Sequence, residues 1–148
     1  MKPKSAIAKG KELEIHICDR IIETGLDTRA KRSPGSGNGT REKSDIDTSV
    51  GINGRNLGIE AKNQKTIKLP EWWRQTRKLE SLGREPVLVL KLPNERFEGT
   101  LAVIYLETFL ELLQGQSGGV CDKEHLPESL KWKMKRLKDY AHDLFKEL

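Results

Sequence analysis

A mixed α/β fold, with a mixed sheet flanked by helices and a helical extension at the C-terminus, is predicted by three features of the 148-residue chain. The first is a change of period. Leu13, Ile17, Cys18, Ile21 and Ile22 recur at helical spacing, whereas Ile46, Thr48 and Val50 alternate with Asp45, Asp47 and Ser49 as in a strand. The second is Asn53-Gly54, because both central positions of a type I′ hairpin turn need positive φ. The third is a pair of short apolar runs, Val87–Leu90 and Leu101–Leu106, as expected of strands buried on both faces. A hairpin between the early strands excludes a doubly wound sheet.

The elements follow in order. A helix is expected over 5–24, closed by Gly25. A short extended piece, Asp27–Arg32, leads into Ser-Pro-Gly-Ser-Gly-Asn-Gly-Thr at 33–40, too rich in glycine for anything but a loop. One strand over 44–51 and another from Leu57 to about Gln64 flank the turn. In the second, Ile59 and Ala61 take one face, Glu60 and Lys62 the other. Pro70 begins the next helix and Gly83 closes it, with Trp72, Thr76, Leu79 and Leu82 inward. The two apolar runs supply further strands, and a short helix covers Glu107–Gln114. A linker over 115–126 then separates the core, residues 1–114, from a last helix over 127–148. Leu130, Met134, Leu137, Ala141, Leu144 and Leu148 step through that helix by 4, 3, 4, 3 and 4, a heptad rhythm suited to packing within the chain or between subunits.

Composition narrows the function classes. Twenty-seven Lys and Arg against 22 Asp and Glu leave a net charge of +5, which suits a polyanionic partner. The longest uninterrupted apolar run, Leu101–Leu106, is far too short to span a membrane, and no long apolar stretch follows the basic N-terminus to make a signal peptide. Cys18 and Cys121 form neither a disulfide framework nor a zinc motif, and His16, His125 and His142 lack ligand spacing. A cytoplasmic protein, of a prokaryotic cell or an infected host, is expected.

The informative residues are charged ones placed towards the core. Glu14 sits within the apolar stripe of the first helix, whereas Glu12 falls on the wet face with His16, Asp19 and Glu23. Taken alone, Glu14 could reach water from the stripe's edge. Across a two-residue turn at Asn53-Gly54, opposed residues sum to 107, so Asp47 faces Glu60 and Asp45 faces Lys62. Opposed carboxylates destabilise a strand pair unless a cation lies between them, and Mg²⁺ takes such oxygen donors. Lys62, on the same face as Glu60, could polarise an attacking water or steady a phosphate. A solvated face with a cross-strand salt bridge is the plainer reading of the same residues.

An acidic helix followed by Asp-(x)n-Glu-x-Lys on a hairpin resembles the PD-(D/E)XK nuclease superfamily. Lys9-Gly10-x-x-x-Glu14, Arg32-Ser-Pro-Gly-Ser36-Gly, Ser44-Asp-Ile, Ile59-Glu60-Ala-Lys62 and Pro86-Val-Leu-Val-Leu-Lys91 are similar, in order and spacing, to the Holliday-junction resolvases of archaea and their viruses. The resemblance spans about residues 9 to 92 and implies a restriction-endonuclease-like core. It also implies that Glu14 completes a metal site, that an aspartate of the 45–47 pair and Glu60 bind Mg²⁺ (or Mn²⁺), and that Lys62 assists the attacking water. Ser36 would touch the scissile phosphate or order its loop. The family pattern selects Asp45, while hairpin register and the usual Asp-to-Glu spacing favour Asp47. Ser44 stands where the family also uses proline.

Basic residues flank this constellation. Arg29, Lys31, Arg32, Arg41 and Lys43 border the glycine loop, Arg74 and Arg77 lie beside Trp73, and Lys135 belongs to a lysine-rich stretch of the last helix. All are candidate DNA contacts. The loop lacks the Gly-Lys-Ser/Thr ending of a nucleotide-binding loop, so no nucleotide cofactor is expected. Trp73 could stack on an unpaired base, although helical aromatics more often pack. The activity that the resemblance implies is Mg²⁺-dependent cleavage of four-way DNA junctions leaving a 5′-phosphate, and paired symmetric cuts would call for a homodimer. Rival readings are a nuclease of this fold acting on other DNA, such as restriction, repair or flap substrates, and a non-catalytic nucleic-acid-binding module.

Overall fold

A computed structural model describes residues 5–34 and 43–116. Gly115 and Gln116, expected to open the linker, instead continue the third helix; the rest of the expected linker and the C-terminal helix lie beyond the described residues, as do Ser36, Arg41 and Lys135. The chain divides between Leu113 and Gln114 into two units, and every element but the final turn of the third helix lies in the first.

Helix α1 runs from Ala6 to Glu23. Ser5 caps it, its hydroxyl oxygen accepting the Ala8 N–H at 3.2 Å, an arrangement worth about 1 kcal/mol. Gly25, at φ 74°, turns the chain away after it. Leu13, Ile17 and Cys18 are buried on the inward stripe and Glu14 lies among them.

The strands form two sheets. Lys31–Arg32 (β1) pairs antiparallel with Ile46–Asp47 (β2). Gly51–Ile52 (β3), Arg55–Lys62 (β4), Glu85–Leu90 (β5) and Leu101–Val103 (β6) make the larger sheet, in the order β3-β4-β5-β6. β3 and β4 are antiparallel, β4 and β5 parallel, and β5 and β6 antiparallel. The fold is thus mixed α/β, as the sequence predicts. Asn53 and Gly54 have φ of 52° and 76°, the two positive values of the expected hairpin turn.

The parallel β4–β5 pair needs a crossover, supplied by helix α2 (Leu69–Arg77) and a 3₁₀ turn at Lys78–Leu82. Pro70 lies in the first turn of α2 and Gly83 ends the crossover at φ 71°. The sheet is covered on both sides. Ile59 and Val87 pack with Leu13, Ile17 and Cys18 of α1, while Leu88 and Leu90 pack with Trp72 of α2. Each such aliphatic side chain contributes about 1.5–3 kcal/mol by burial. Thr76 is fully buried and its hydroxyl donates to the Trp72 carbonyl at 2.8 Å. Leu82, expected to face inward, is half exposed where the chain reverses.

Two strands differ from expectation. The strand over 44–51 is broken into β2 and β3, for a reason given below. The apolar run 101–106 supplies an edge strand over its first three residues, not a doubly buried one: among the described residues it pairs only with β5, Leu101 is 46% exposed, and helix α3 (Leu106–Gln116) begins at its last residue. An apolar run reads alike in either position. No helix among the described residues is long and apolar enough to cross a membrane.

Candidate active site

The hairpin register holds only near the turn. Gly51 faces Asn56, Ile52 faces Arg55, and the Leu57 N–H donates to the Val50 carbonyl at 2.8 Å. Those pairs obey the sum of 107. Beyond Val50 the chain departs from β4, because Asp27 captures it. The Asp27 carboxylate accepts the Thr48 hydroxyl and the Ser49 N–H, both at 2.8 Å, and the Arg29 N–H at 3.0 Å. These donors hold its pKa at about 2, below the usual carboxylate range, with the Ser49 N–H the largest cause.

The segment rejoins β4 at Ser44 and Asp45, displaced by three residues, with Asp45 bonded to Ile59 where the turn's register would set it against Lys62. The Asp45 N–H donates to the Ile59 carbonyl at 2.7 Å, and the Asp45 carbonyl accepts the Ser33 N–H at 2.9 Å. Buried Ser44 fixes this join. Its hydroxyl donates to the Ile46 carbonyl at 2.7 Å and accepts the Ile59 N–H at 2.8 Å. Proline could make neither bond, so the serine acts as the clasp between the two segments.

The Asp45 side chain consequently lies along β4, where it accepts the Ala61 N–H at 2.8 Å. Its pKa is pushed up to about 6, first by burial, then by the negative charge of Glu60, with a smaller contribution from Glu14. The Ala61 N–H and the Lys62 ammonium oppose that rise. Glu60 is 8% exposed, and Lys62 donates to its Oε1 at 2.7 Å. Glu14, on α1, accepts Arg32 Nε at 2.5 Å. Three separate elements thus bring Asp45, Glu60, Lys62 and Glu14 into one electrostatic group.

Asp47 is outside it. The structure corrects the expected Asp47–Glu60 pair: Asp47 stands across from Lys31 on β1, its carboxylate 3.7 Å from the Lys31 ammonium, and both side chains are more than half exposed. Among the expected DNA contacts, Arg29 and Lys43 are exposed. Lys31 pairs with Asp47 and Arg32 with Glu14. Arg74 donates to the Pro70 carbonyl at 3.3 Å, and Arg77 lies 3.6 Å from Glu80 and over the Tyr105 ring. Trp73 meets Tyr105 edge to face at 5.1 Å, so it packs within the chain.

Sequence reasoning missed two buried acids. One is Asp27, which sets the register. The other is Glu85, 3% exposed, which pairs with Arg55 at 2.7 Å and accepts the Thr108 hydroxyl, tying β4, β5 and α3 together. Glu85 carries a signal of its own, as a charged residue opening an otherwise apolar strand. Asp27 carries none for its part in the register, because Thr48 and Ser49 lie 21 and 22 residues away.

Comparison of the chain with protein-family models, curated proteins and solved structures finds no match.

Proposed function

We propose that the chain is a metal-dependent DNA endonuclease acting on four-way junctions. The observation that carries this reading is the seat of Asp45. A half-buried carboxylate whose pKa is raised first by burial and then by a second and a third carboxylate stands beside a lysine, as expected where a divalent cation and a phosphodiester meet. The basic balance of the chain and its resemblance to junction resolvases support DNA as the substrate.

The donor chemistry fits Mg²⁺, since carboxylates are hard oxygen ligands. Asp45 and Glu60 would hold the ion, with Glu14 completing its surroundings. Among the described residues, no three His, Cys, Asp or Glu side chains stand close enough to hold a metal as they are. Glu60 is matched by Lys62 and Glu14 by Arg32, so loading exchanges basic partners for the ion. When bound, the cation supplies Lewis-acid stabilisation of charge building on the phosphoryl group. The Ala61 N–H aims Asp45, and Glu60 orients Lys62. Once released, the Lys62 ammonium stands ready to donate to a phosphate oxygen.

The test is cleavage of a labelled immobile junction beside matched linear duplex and flap substrates, with Mg²⁺ and with EDTA. Paired symmetric cuts in the junction alone, lost with EDTA, are expected. Cutting of duplex or flap instead would move the substrate elsewhere, and junction binding without any cutting would favour a non-catalytic module.

A further inference from the structure

Beyond the C-terminal ends of the parallel strands β4 and β5 the surface opens into a cleft of about 320 Å³. Such ends are where open α/β sheets present ligand crevices. Lys9, Lys65 and Lys91 line it, with the amides of Asn63, Gln64 and Asn94. Among the described residues, Glu12 is the only acid in its wall.

The cleft is anchored to the rigid part of the molecule. Asn63 follows Lys62 directly and donates to the Lys9 carbonyl at 3.0 Å, joining β4 to α1. The Lys91 N–H donates to the Lys62 carbonyl at 3.0 Å, and its ammonium lies 5.7 Å from the centre of the Phe97 ring. His16 packs on that ring at 4.8 Å. Phe97 therefore serves as a supported wall for Lys91. Among the described residues, Lys9, Lys65 and Lys91 make no ion pair, whereas Lys31, Lys62 and Lys68 each meet a carboxylate.

We infer that this cleft holds the sugar-phosphate backbone of a single nucleotide of bound DNA, adjoining the one that faces Lys62. The inference rests on the nuclease reading for its ligand, but not on any cleavage step. Its volume is at the low end of ligand pockets, too small for a duplex, and the lysines and amide side chains that line it are donors of the kind that match phosphate oxygens, with the Lys91 ammonium only weakly held by the Leu92 carbonyl at 3.5 Å. Lys65 and Lys91 hold the phosphate as point charges, and the amides complete the donor set.

The test is DNA binding in EDTA, measured by fluorescence anisotropy on a labelled junction across a series of salt concentrations. Lys65→Gln and Lys91→Gln are compared with Lys78→Gln, which changes a lysine outside the cleft. Each cleft variant should weaken binding roughly 5- to 10-fold at ~0.1 M salt and flatten the log–log salt dependence by about 1. Lys65 is exposed and lies in no strand or helix, so its variant remains informative even if Lys91→Gln misfolds. Affinity and slope that match those of Lys78→Gln in both variants would overturn the cleft assignment alone. Absence of junction binding by the unaltered protein would overturn the nuclease reading with it.

Discussion

Asp27 accepts the hydroxyl hydrogen of Thr48 at 2.8 Å, and this contact decides which aspartate enters the site. It pulls Thr48 and Ser49 off β4, and the chain returns three residues out of step, so that the Asp45 carboxylate meets Ala61 while Asp47 turns to Lys31. Because the folded pKa of Asp27 is about 2 and its unfolded value is near 3.8, its stabilising contribution is present above pH ~4. It is lost as pH falls towards 2. Thermal unfolding of Asp27→Asn should show a lower Tm than the parent at pH 7. The difference should shrink between pH 4 and 2, and an undiminished gap at pH 2 would refute the ionic origin.

Asp45 has the opposite sign. Its folded pKa, about 6, exceeds the unfolded value, so the folded state holds the proton more tightly. Stability from this group is full below pH ~4 and declines as pH rises through 6. Linkage over two pKa units gives an upper bound of about 3 kcal/mol. Asp45→Asn should therefore raise Tm at pH 7.5 and leave it unchanged near pH 4, even as cleavage is abolished.

Mg²⁺ should act on stability through the same carboxylate. Millimolar Mg²⁺ in excess of its Kd is expected to raise the Tm of the parent at pH 7.5, because a ligand bound only by the folded state stabilises it. Glu60→Gln and Asp45→Asn should lose most of that rise. Equal rises in all three proteins would place the ion elsewhere.

The two aspartates can be separated by activity. Asp45→Asn and Glu60→Ala should each reduce junction cleavage by at least 100-fold while binding persists, a loss typical of removing a group that stabilises developing charge. Asp47→Asn should keep cleavage within a few-fold. If Asp47→Asn were the inactive one, the register described above would be wrong.

Close packing gives a prediction independent of chemistry. A Cβ added at Gly58 would lie 2.9 Å from Leu79 Cβ and 3.1 Å from Arg84 Cβ, and one at Gly51 would lie 2.6 Å from the Arg55 carbonyl oxygen. Gly58→Ala should cost about 1–3 kcal/mol in chemical denaturation, the range for overpacking. Gly51→Ala should cost more than Gly58→Ala, because it meets backbone that cannot rotate away.

Much of the fold was legible because its signals are local. The positive φ of Asn53 and Gly54, the apolar run of β5, and Glu14 within a helical stripe all follow from neighbours in sequence. The Asp47–Glu60 pairing failed because register was extended from the turn at Asn53 back to Asp47, while a carboxylate 21 and 22 residues upstream of Thr48 and Ser49 interrupts it. The alternation of Ile46, Thr48 and Val50 survived the break, since all three still point inward, and so gave no warning. The Ser44-Asp-Ile motif did single out the aspartate that reaches β4, where Ser44 ties the strand to Ile59.

β4 hydrogen-bonds to β3 on one side and β5 on the other, receives Ser44 and Asp45 near its end, and packs against both α1 and α2. It is therefore the seam of the molecule. Amide exchange at Ile59 and Leu88 should need global unfolding, whereas β6, held from one side, should exchange through local fraying. Glu60 and Lys62 ride on that seam. Their backbone is held because freeing it would dismantle the domain, and any adjustment falls to their side chains and to the segments around them.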